Sequence, residues 1–223
     1  MIRFEQTAKR YAGGIQALRG VSFELDAGEM AFLTGHSGAG KSTVLRLLSA
    51  QERASRGQVW LNGRELGRVR RRSVPSIRRD LGLIFQNHRL LMGKPVFDNV
   101  ALPLVIAGLH YAEISRRVRG ALDKVGLGDR GKAYPGMLST GQQQRVGIAR
   151  AIVGMPSVVL ADEPTGNLDP ALSEDLMRLF VELHEIGVTV LVASHELDLI
   201  KRLGRRVLVL NDGQLIDDVP ARE

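Results

Sequence analysis

The sequence predicts an α/β fold: a core with a mostly parallel sheet, an antiparallel β part and a helical insert. Two short, nearly continuous apolar runs, residues 158–161 and 188–193, are typical of strands buried on both faces of a parallel sheet. Residues 2–5 and 21–25 alternate apolar and polar side chains, as strands with one exposed face do. Over roughly residues 87–137 the apolar spacing becomes helical, which indicates an insert between two parts of the core.

The individual elements follow from apolar periodicity and from the turn residues between them. A strand at 30–34 leads into a glycine-rich segment and an apolar helix, and the pairs Asn62-Gly63 and Asp212-Gly213 indicate tight turns. Strands are predicted at 2–5, 21–25, 30–34, 58–61, 81–85, 158–161, 188–193, 207–210 and 214–216. Helices are predicted at 43–49, 96–109, 112–125, 142–153 and 170–186.

Composition limits the classes of protein to consider. The 223 residues fit one large domain or two small ones and can bury a sizeable core. Cysteine is absent, which excludes disulfide scaffolds, thiolate zinc sites and cysteine nucleophiles. Aromatic residues make up 4%, which disfavours stacking of single-stranded bases on exposed rings. The longest apolar run, 100–109, is too short to span a membrane. The start of the sequence lacks the apolar segment of a signal peptide. We therefore expect the chain to stay inside the cell.

The charge distribution indicates an anionic partner. The chain has 31 basic and 24 acidic residues, a net charge of +7. The densest basic segment holds six arginines: Arg68, Arg70, Arg71, Arg72, Arg78 and Arg79. Such a run has two interpretations, an ordinary solvated surface or a contact with anionic lipid head groups or nucleic acid.

A phosphate-binding loop follows the predicted strand at 30–34. It matches the pattern G-x-x-x-x-G-K-[ST] and stands between a strand and a helix, as that loop requires. Its glycines allow backbone N–H groups to surround a phosphate at the positive end of the following helix. Lys41 can reach the terminal phosphates, and the hydroxyl of Ser42 can ligate Mg²⁺. The loop, which we expect to bind a nucleoside triphosphate, consists of Gly35, His36, Ser37, Gly38, Ala39, Gly40, Lys41, Ser42 and Thr43.

Two adjacent carboxylates follow the predicted strand at 158–161. Asp162 is expected to hold the Mg²⁺ shell, and Glu163 to orient and polarise the attacking water. A strand that ends in Asp-Glu is by itself compatible with a solvated strand end. Together with the phosphate loop, the pair predicts hydrolysis of the bound triphosphate.

A third segment, Leu138-Ser139-Thr140-Gly141-Gln142, opens a predicted helix whose N-terminal amides can face an anion. It resembles the signature motif of the ATP-binding-cassette (ABC) ATPases, which usually reads Leu-Ser-Gly-Gly-Gln. The chain departs from that pattern at Thr140, where a β-branched residue restricts the backbone that glycine would leave free. We expect the helix start to keep its anion-binding role.

Further residues agree with this resemblance in order and spacing. Gln86 resembles the Q-loop glutamine of the family, and the segment Asn167-Leu168-Asp169 resembles its D-loop. His195 resembles the switch histidine that reaches the γ-phosphate, and Tyr11 resembles the aromatic residue that stacks on adenine. The resemblance covers essentially the whole chain.

The resemblance implies one ABC ATPase domain over residues 1–223 that hydrolyses ATP to ADP and phosphate with Mg²⁺. It implies that two chains form a homodimer in which the phosphate loop of one and the signature of the other enclose each ATP. The implied catalytic residues are Lys41, Glu163 and His195, and the implied Mg²⁺ site is Ser42, Gln86 and Asp162. Outside the phosphate loop, the implied nucleotide contacts are Tyr11, Gln86, Ser139, Gly141, Gln142 and Asp169.

Within the family, residues 161–169 resemble the branch whose partners transmit mechanical force across a membrane. Segments 34–40, 85–91, 96–104 and 139–145 are similar to its cell-division members. This resemblance implies an FtsX-type integral membrane partner, no nucleic acid partner, and a peripheral position on the cytoplasmic face of the bacterial inner membrane at the division site. Closure driven by ATP would then regulate septal peptidoglycan hydrolysis.

Two alternatives stay open. The ATPase of a lipoprotein-release or efflux transporter would have the same catalysis with another membrane partner. A DNA-repair or chromosome-organising ABC ATPase fits the basic charge. Those proteins insert long coiled coils between their halves, whereas only 51 residues separate Gln86 from Leu138.

Overall fold

A computed structural model describes residues 1–166 and 168–221. The strands are β1 (Ile2–Arg10), β2 (Gln16–Leu25), β3 (Met30–Thr34), β4 (Arg56–Leu61), β5 (Arg64–Glu65), β6 (Leu81–Ile84), β7 (Val158–Asp162), β8 (Thr189–Ala193), β9 (Arg206–Asn211) and β10 (Gln214–Val219). The helices are α1 (Lys41–Leu48), α2 (Val74–Arg79), α3 (Val96–Ile106), α4 (Tyr111–Lys124), α5 (Thr140–Ile152), α6 (Pro170–Glu185) and α7 (Leu197–Leu203).

The central sheet has the strand order β10-β9-β3-β8-β7-β6. Strands β9, β3, β8, β7 and β6 run parallel to one another, and β10 is antiparallel to β9. The carboxyl ends of β3, β7 and β8 therefore meet at one edge of the sheet. Open α/β sheets bind their ligands at this edge.

Each face of the central sheet has its own apolar core, because alternate residues of a strand point to opposite faces. In β3, Phe32 belongs to the core formed with α3 to α6, whereas Ala31 and Leu33 belong to the core formed with α1 and the second sheet. The predicted runs form β7, in which residues 158–161 are buried, and β8, which is buried along its whole length. The prediction of parallel strands covered on both faces is confirmed.

The second sheet has the order β2-β1-β4-β5 and is antiparallel. Its inner side chains pack with those of α1, and they include Phe4 and Phe23, whose stacked rings lie 4.7 Å apart between centroids. The sheet thus covers the helix that follows the phosphate loop. The antiparallel part predicted from the alternating residues is confirmed.

The helical insert contains α3 and α4, which pack on α5 through one of the two cores. Helix α3 ends at Ile106, three residues before the predicted end. Gly108 adopts a left-handed conformation (φ +78°), and the N–H of Leu109 donates to the carbonyl of Leu104 (3.2 Å), which closes the helix. The sequence did not predict β5, α2 or α7. Of the helices that the structure describes, none combines the length and apolarity needed to cross a bilayer.

Candidate active site

The phosphate loop joins β3 to α1, and left-handed glycines shape it. The φ angle is +147° at Gly35, +85° at Gly38 and +111° at Gly40. Two of these positions also lack space for a side chain. A β-carbon on Gly35 would lie 2.2 Å from the carbonyl oxygen of Leu210, and one on Gly40 would lie 2.8 Å from that of Ala17. Glycine is therefore required at both ends of the loop.

Lys41 is the first residue of α1, and its side chain folds back over the loop. Its Nζ donates to the carbonyl oxygens of Gly35 (2.7 Å) and His36 (3.2 Å), and the side chain is only 7% exposed. The loop thus places an ammonium group beside the N-terminal amides of a helix. Both features favour a bound anion.

Asp162 ends β7 and lies next to the start of α1. Its Oδ1 accepts a hydrogen bond from Oγ of Ser42 (3.2 Å). Burial raises the pKa of Asp162, and the hydrogen bond from Ser42 opposes that change in part. The two side chains offer oxygen ligands, which Mg²⁺ prefers. Within residues 1–166 and 168–221, no group of three or more His, Asp or Glu residues could hold a metal.

Glu163 leaves β7 in a left-handed conformation (φ +46°), and its N–H donates to the carbonyl of Ala193 at the end of β8 (2.9 Å). This conformation is uncommon for a residue with a side chain, and such residues cluster at functional sites. Oε1 of Glu163 lies 3.9 Å from Nζ of Lys41 and 3.4 Å from Nδ1 of His195. One carboxylate oxygen therefore stands between an ammonium group and an imidazole.

Lys41, Ser42, Asp162 and Glu163 line one cleft of about 410 Å³, whereas the exposed His195 does not line it and meets it through Glu163. Gln86, which follows β6, also lines the cleft, and a β-carbon on Gly166 would lie 3.5 Å from Nε2 of Gln86. A concave site with a few convergent polar groups is typical of ligand binding. The cleft is lined by Ala17, Ser37, Gly38, Gly40, Lys41, Ser42, Thr43, Gln86, Asp162 and Glu163. All but Ala17 were candidates from the sequence.

Tyr11 lies near the cleft through Thr43. The Tyr11 hydroxyl is 3.4 Å from Oγ1 of Thr43, and the ammonium group of Lys9 lies 4.9 Å from the centroid of the Tyr11 ring. The half-buried ring thus carries a cation on one face. A base that stacked on Tyr11 would use the other face.

A second cluster of predicted site residues lies outside the cleft of the same chain. Its members are Ser139, Gly141, Gln142 and Asp169. Ser139 caps α5: its Oγ accepts from the N–H of Gln142 (3.3 Å), and the Gln142 side chain accepts from the N–H of Ser139 (3.1 Å). This capping box is complete although Thr140 stands where the family has glycine.

Asp169 caps α6 by accepting from the N–H of Leu172 (3.0 Å). The Leu172 side chain lies against Gly141, so the starts of α5 and α6 are in contact. Asn167, the first residue of the predicted D-loop, lies outside the described residues.

The β9–β10 turn supports the phosphate loop from behind. Nε2 of His36 is 3.0 Å from Oδ1 of Asn211, and the N–H of Gly213 donates to the carbonyl of Ala39 (3.1 Å). His36 therefore points to this turn and not into the cleft. The sequence did not predict the contact of Asn211. The turn signal Asn-Asp-Gly indicates a hairpin, but it does not indicate which residues the hairpin contacts.

The segment after Gln86 is held on α5. His88 and Arg89 adopt left-handed conformations (φ +39° and +49°), and their carbonyls accept from the guanidinium of Arg150 at 2.6 and 2.8 Å. The His88 ring also bonds to the side chain of Gln144. Burial lowers the pKa of Arg150. The loop that carries Gln86 and the helix that carries the signature are therefore joined by side chains that the sequence did not single out.

A further pair joins the loops that follow Glu163 and His195. The Thr165 hydroxyl donates to the carboxylate of Glu196, and the N–H of Glu196 donates to Oγ of Ser194 (3.1 Å). Thr165 and Ser194 are buried. Glu196 thus ties the segment of His195 to the segment of Glu163. The sequence signal that could have indicated Glu196 was its position directly after the candidate residue His195.

The arrangement of phosphate loop, capped signature helix and paired carboxylates defines a known class of protein. The ABC transporter family matches residues 18–166, which contain all three features. The chain belongs to this family and is an ABC ATPase that binds ATP.

Its relatives include cell-division proteins. The chain is 59% identical to the cell division ATP-binding protein FtsE of Escherichia coli over 215 residues, which cover 96% of this chain and 97% of that protein. It is 39% identical to FtsE of Bacillus subtilis over 218 residues, covering 98% and 96%. A solved dimer of the ATP-binding cassette MJ0796, in a post-hydrolysis state bound to ADP and Pi, matches with a TM-score of 0.92 and 32% identity over 100% of both chains.

Proposed function

We propose that the chain is the ATP-hydrolysing subunit of a membrane complex of the FtsEX type, in which ATP-driven closure regulates septal peptidoglycan hydrolysis in cell division. The hydrolytic part rests on the position of the Glu163 carboxylate oxygen between Lys41 and His195, in the cleft of the phosphate loop. The cell-division part rests on similarity to FtsE proteins over nearly the whole chain.

Most of the predicted site residues have a role in this proposal, whereas the His36 side chain holds the loop on the β9–β10 turn. Lys41 and the N–H groups of the loop bind the terminal phosphates of ATP. Glu163 orients and polarises the attacking water, and His195 contacts the γ-phosphate. Tyr11 stacks on the adenine. The whole chain, residues 1–223, acts as one ABC ATPase domain with its helical insert at roughly 87–137.

Ser42, Asp162 and Gln86 would hold Mg²⁺. The observation in favour is the donor set: a hydroxyl and a carboxylate already in contact at 3.2 Å, at the edge of the cleft that Gln86 also lines. Mg²⁺ commonly takes one or two carboxylates together with substrate phosphates and water. When bound, the ion would neutralise charge on the phosphates.

Two chains would close as a homodimer around two ATP molecules. Ser139, Gly141, Gln142 and Asp169 do not line the cleft of their own chain, so they are free to meet the nucleotide of a partner. The dimeric form of the similar cassette MJ0796 supports this arrangement. The amides at the capped start of α5 would then face the partner's ATP.

The proposed membrane partner is an FtsX-type integral protein, and the chain would sit peripherally on the cytoplasmic face of the inner membrane at the division site. A second candidate, the ATPase of a lipoprotein-release or efflux transporter, has the same catalytic geometry. The similarity to FtsE proteins favours the first.

The test uses tagged Glu163→Gln, recovered with ATP from gently solubilised membranes of the native host. This variant should bind ATP, hydrolyse it about 10²–10⁴-fold more slowly and accumulate as a closed dimer. An FtsX-type protein should co-purify, identified by mass spectrometry. The same variant with Lys41→Ala added is the control and should not close. A lipoprotein-release or efflux permease in place of the FtsX-type protein would overturn the cell-division role, and a monomer under saturating ATP would overturn the sandwich.

A further inference from the structure

The basic segment of residues 68–79 dominates the charge of the molecule. It holds six arginines and no acidic residue, a net charge of +6, against +7 for all 223 residues. The rest of the chain is therefore close to neutral. Such an asymmetry produces a local positive field, which attracts anionic partners to this surface.

Among the residues that the structure describes, most of these arginines have no anionic partner. Arg68 pairs with Glu65 (2.8 Å), and the Arg78 guanidinium donates to the carbonyls of Ser49 (3.1 Å) and Ala50 (3.2 Å). Among residues 1–166 and 168–221, no ion pair or hydrogen bond joins the side chains of Arg70, Arg71, Arg72 or Arg79 to another group, and all four are exposed. We call these four the arginine surface.

The segment that holds the arginine surface lies at the carboxyl end of α1, away from the phosphate loop, because Arg53, shortly after α1, donates to the carbonyl of Val69 (2.7 Å), next to Arg70. Arg78 contacts the carbonyls at the carboxyl end of α1, whereas the phosphate loop precedes the amino end of this helix. Eight residues of α-helix span about 12 Å. A ligand on the arginine surface would therefore leave the ATP cleft open.

The basic segment also leads directly into the segment that carries Gln86. Ser49, which Arg78 contacts, lines a small cleft together with Phe85 and Arg89, at the segment that carries Gln86. Strand β6 runs directly from the basic segment to Gln86. A protein bound to the membrane through this side would bring the four free guanidinium groups close to the lipid head groups.

We propose that the arginine surface binds the anionic head groups of the membrane lipid. Clusters of four or more arginines beside a membrane bind anionic lipid, and guanidinium groups form paired hydrogen bonds with phosphate. The contact deepens the peripheral position in the proposed function by adding a lipid contribution that is independent of the membrane protein partner. It would orient the ATPase on the bilayer before or during docking.

The test is vesicle co-sedimentation of the purified full chain at low ionic strength. Vesicles of phosphatidylcholine mixed with phosphatidylglycerol should bind the chain, and vesicles of phosphatidylcholine alone should not. The triple variant Arg70→Gln, Arg71→Gln, Arg72→Gln should lose about a hundredfold in partition, since each arginine near an anionic surface contributes roughly a factor of five. Binding should fall steeply as added salt screens the charges.

Two further variants separate charge from folding. Changing the same three arginines to lysine should keep most of the binding. The matched control Arg178→Gln, Lys201→Gln, Arg202→Gln removes the same charge from α6 and α7 and should bind like the wild type.

Equal loss in the control variant, or no binding to anionic vesicles, would overturn the proposal. So would tight binding of a DNA or RNA duplex through the same three arginines without vesicle binding, because the surface would then serve nucleic acid. The assay contains no membrane protein, so its failure is distinct from a failure of the FtsX-type assignment.

Discussion

Gly141 in α5 lies directly against the side chain of Leu172 in α6: a β-carbon on Gly141 would fall 2.0 Å from Cδ2 of Leu172. Leu172 also donates its N–H to Asp169. The contact therefore fixes the distance between the signature at the start of α5 and the cap at the start of α6. Four predictions follow from this and other contacts of the site.

Gly141→Ala should force the half-buried Leu172 side chain to move, so it should not bring the gain of up to about 1 kcal/mol that alanine brings at an open helix position. The change should also lower ATP turnover, since the signature shifts relative to α6. Chemical denaturation without nucleotide and a steady-state ATPase assay measure the two effects. Adding Leu172→Ala should restore part of both.

Gly120→Ala is the matched control for that experiment. Gly120 lies in α4 with nothing within 4 Å of the position of a new β-carbon, so alanine should stabilise the chain by up to about 1 kcal/mol. If Gly141→Ala behaves in the same way, the contact with Leu172 does not constrain the two helices.

Substitutions at Ser139 should separate the capping role of this residue from its proposed contact with the partner's nucleotide. Ser139→Ala removes the side chain that accepts from Gln142 and should cost about 1 kcal/mol of stability. Ser139→Arg should in addition prevent the ATP-dependent dimer of Glu163→Gln, because the long side chain would occupy the place of the phosphates. Size-exclusion chromatography with ATP distinguishes the two. A dimer that survives Ser139→Arg would exclude the cross-subunit role.

The hydrogen bond between Thr165 and Glu196 should control the rate of hydrolysis through the loop that carries His195. Thr165→Val and Glu196→Met each remove the hydrogen bond and should each lower kcat roughly tenfold, near the low end of the range for a hydrogen bond to a charged group. The KM for ATP should change little, because neither side chain lines the cleft.

The double variant tests whether the two residues act as a unit. Thr165→Val combined with Glu196→Met should be no slower than either single variant, since one interaction can be lost only once. Steady-state kinetics give both constants. If the loss of kcat in the double variant equals the product of the two single losses, the residues act independently.

Asp162 should make the unliganded protein less stable as the pH rises. Burial raises the pKa of Asp162 in the folded state above its ordinary value of 3.8, so folding favours the protonated form. Stability from this residue is therefore greatest below the unfolded pKa and is lost as the pH rises through the folded pKa.

Asp162→Asn should consequently raise the melting temperature at neutral pH in the absence of Mg²⁺ and nucleotide. The difference from the wild type should shrink toward zero below about pH 3.8. Thermal denaturation with a chelator present measures it. A lower melting temperature for Asp162→Asn at neutral pH would contradict the burial argument.

The parts of the site that the sequence predicted are those whose geometry is local. The glycines of the phosphate loop set its backbone, and Asp162 and Glu163 follow a strand whose apolar run locates its end. Ser139 and Gln142 cap α5 across three residues. In each case a local pattern locates the residue, although Asp162 and Glu163 meet Ser42 and Lys41 from far along the chain.

The parts that the sequence did not predict depend on distant residues or on short elements. Asn211 meets His36, and Arg150 meets the backbone of His88, across long stretches of chain that no periodicity relates. Helix α2 has six residues with Ile77 as its buried one, too few to produce a helical repeat. The early end of α3 depends on Gly108, which is compatible with either a turn or a continuing helix until the backbone is known.

The contacts of the β9–β10 turn limit where the chain could be cut without disturbing the phosphate loop. The family match ends at residue 166, yet the phosphate loop inside it rests on Leu210, Asn211 and Gly213. A fragment cut at the end of the match would keep every diagnostic motif up to Glu163 and lose the surface that gives the loop its shape. The segment by which the family is recognised is thus smaller than the unit that can hold a nucleotide, and engineered fusions or split versions of this ATPase should keep β9 and β10 with the loop that they support.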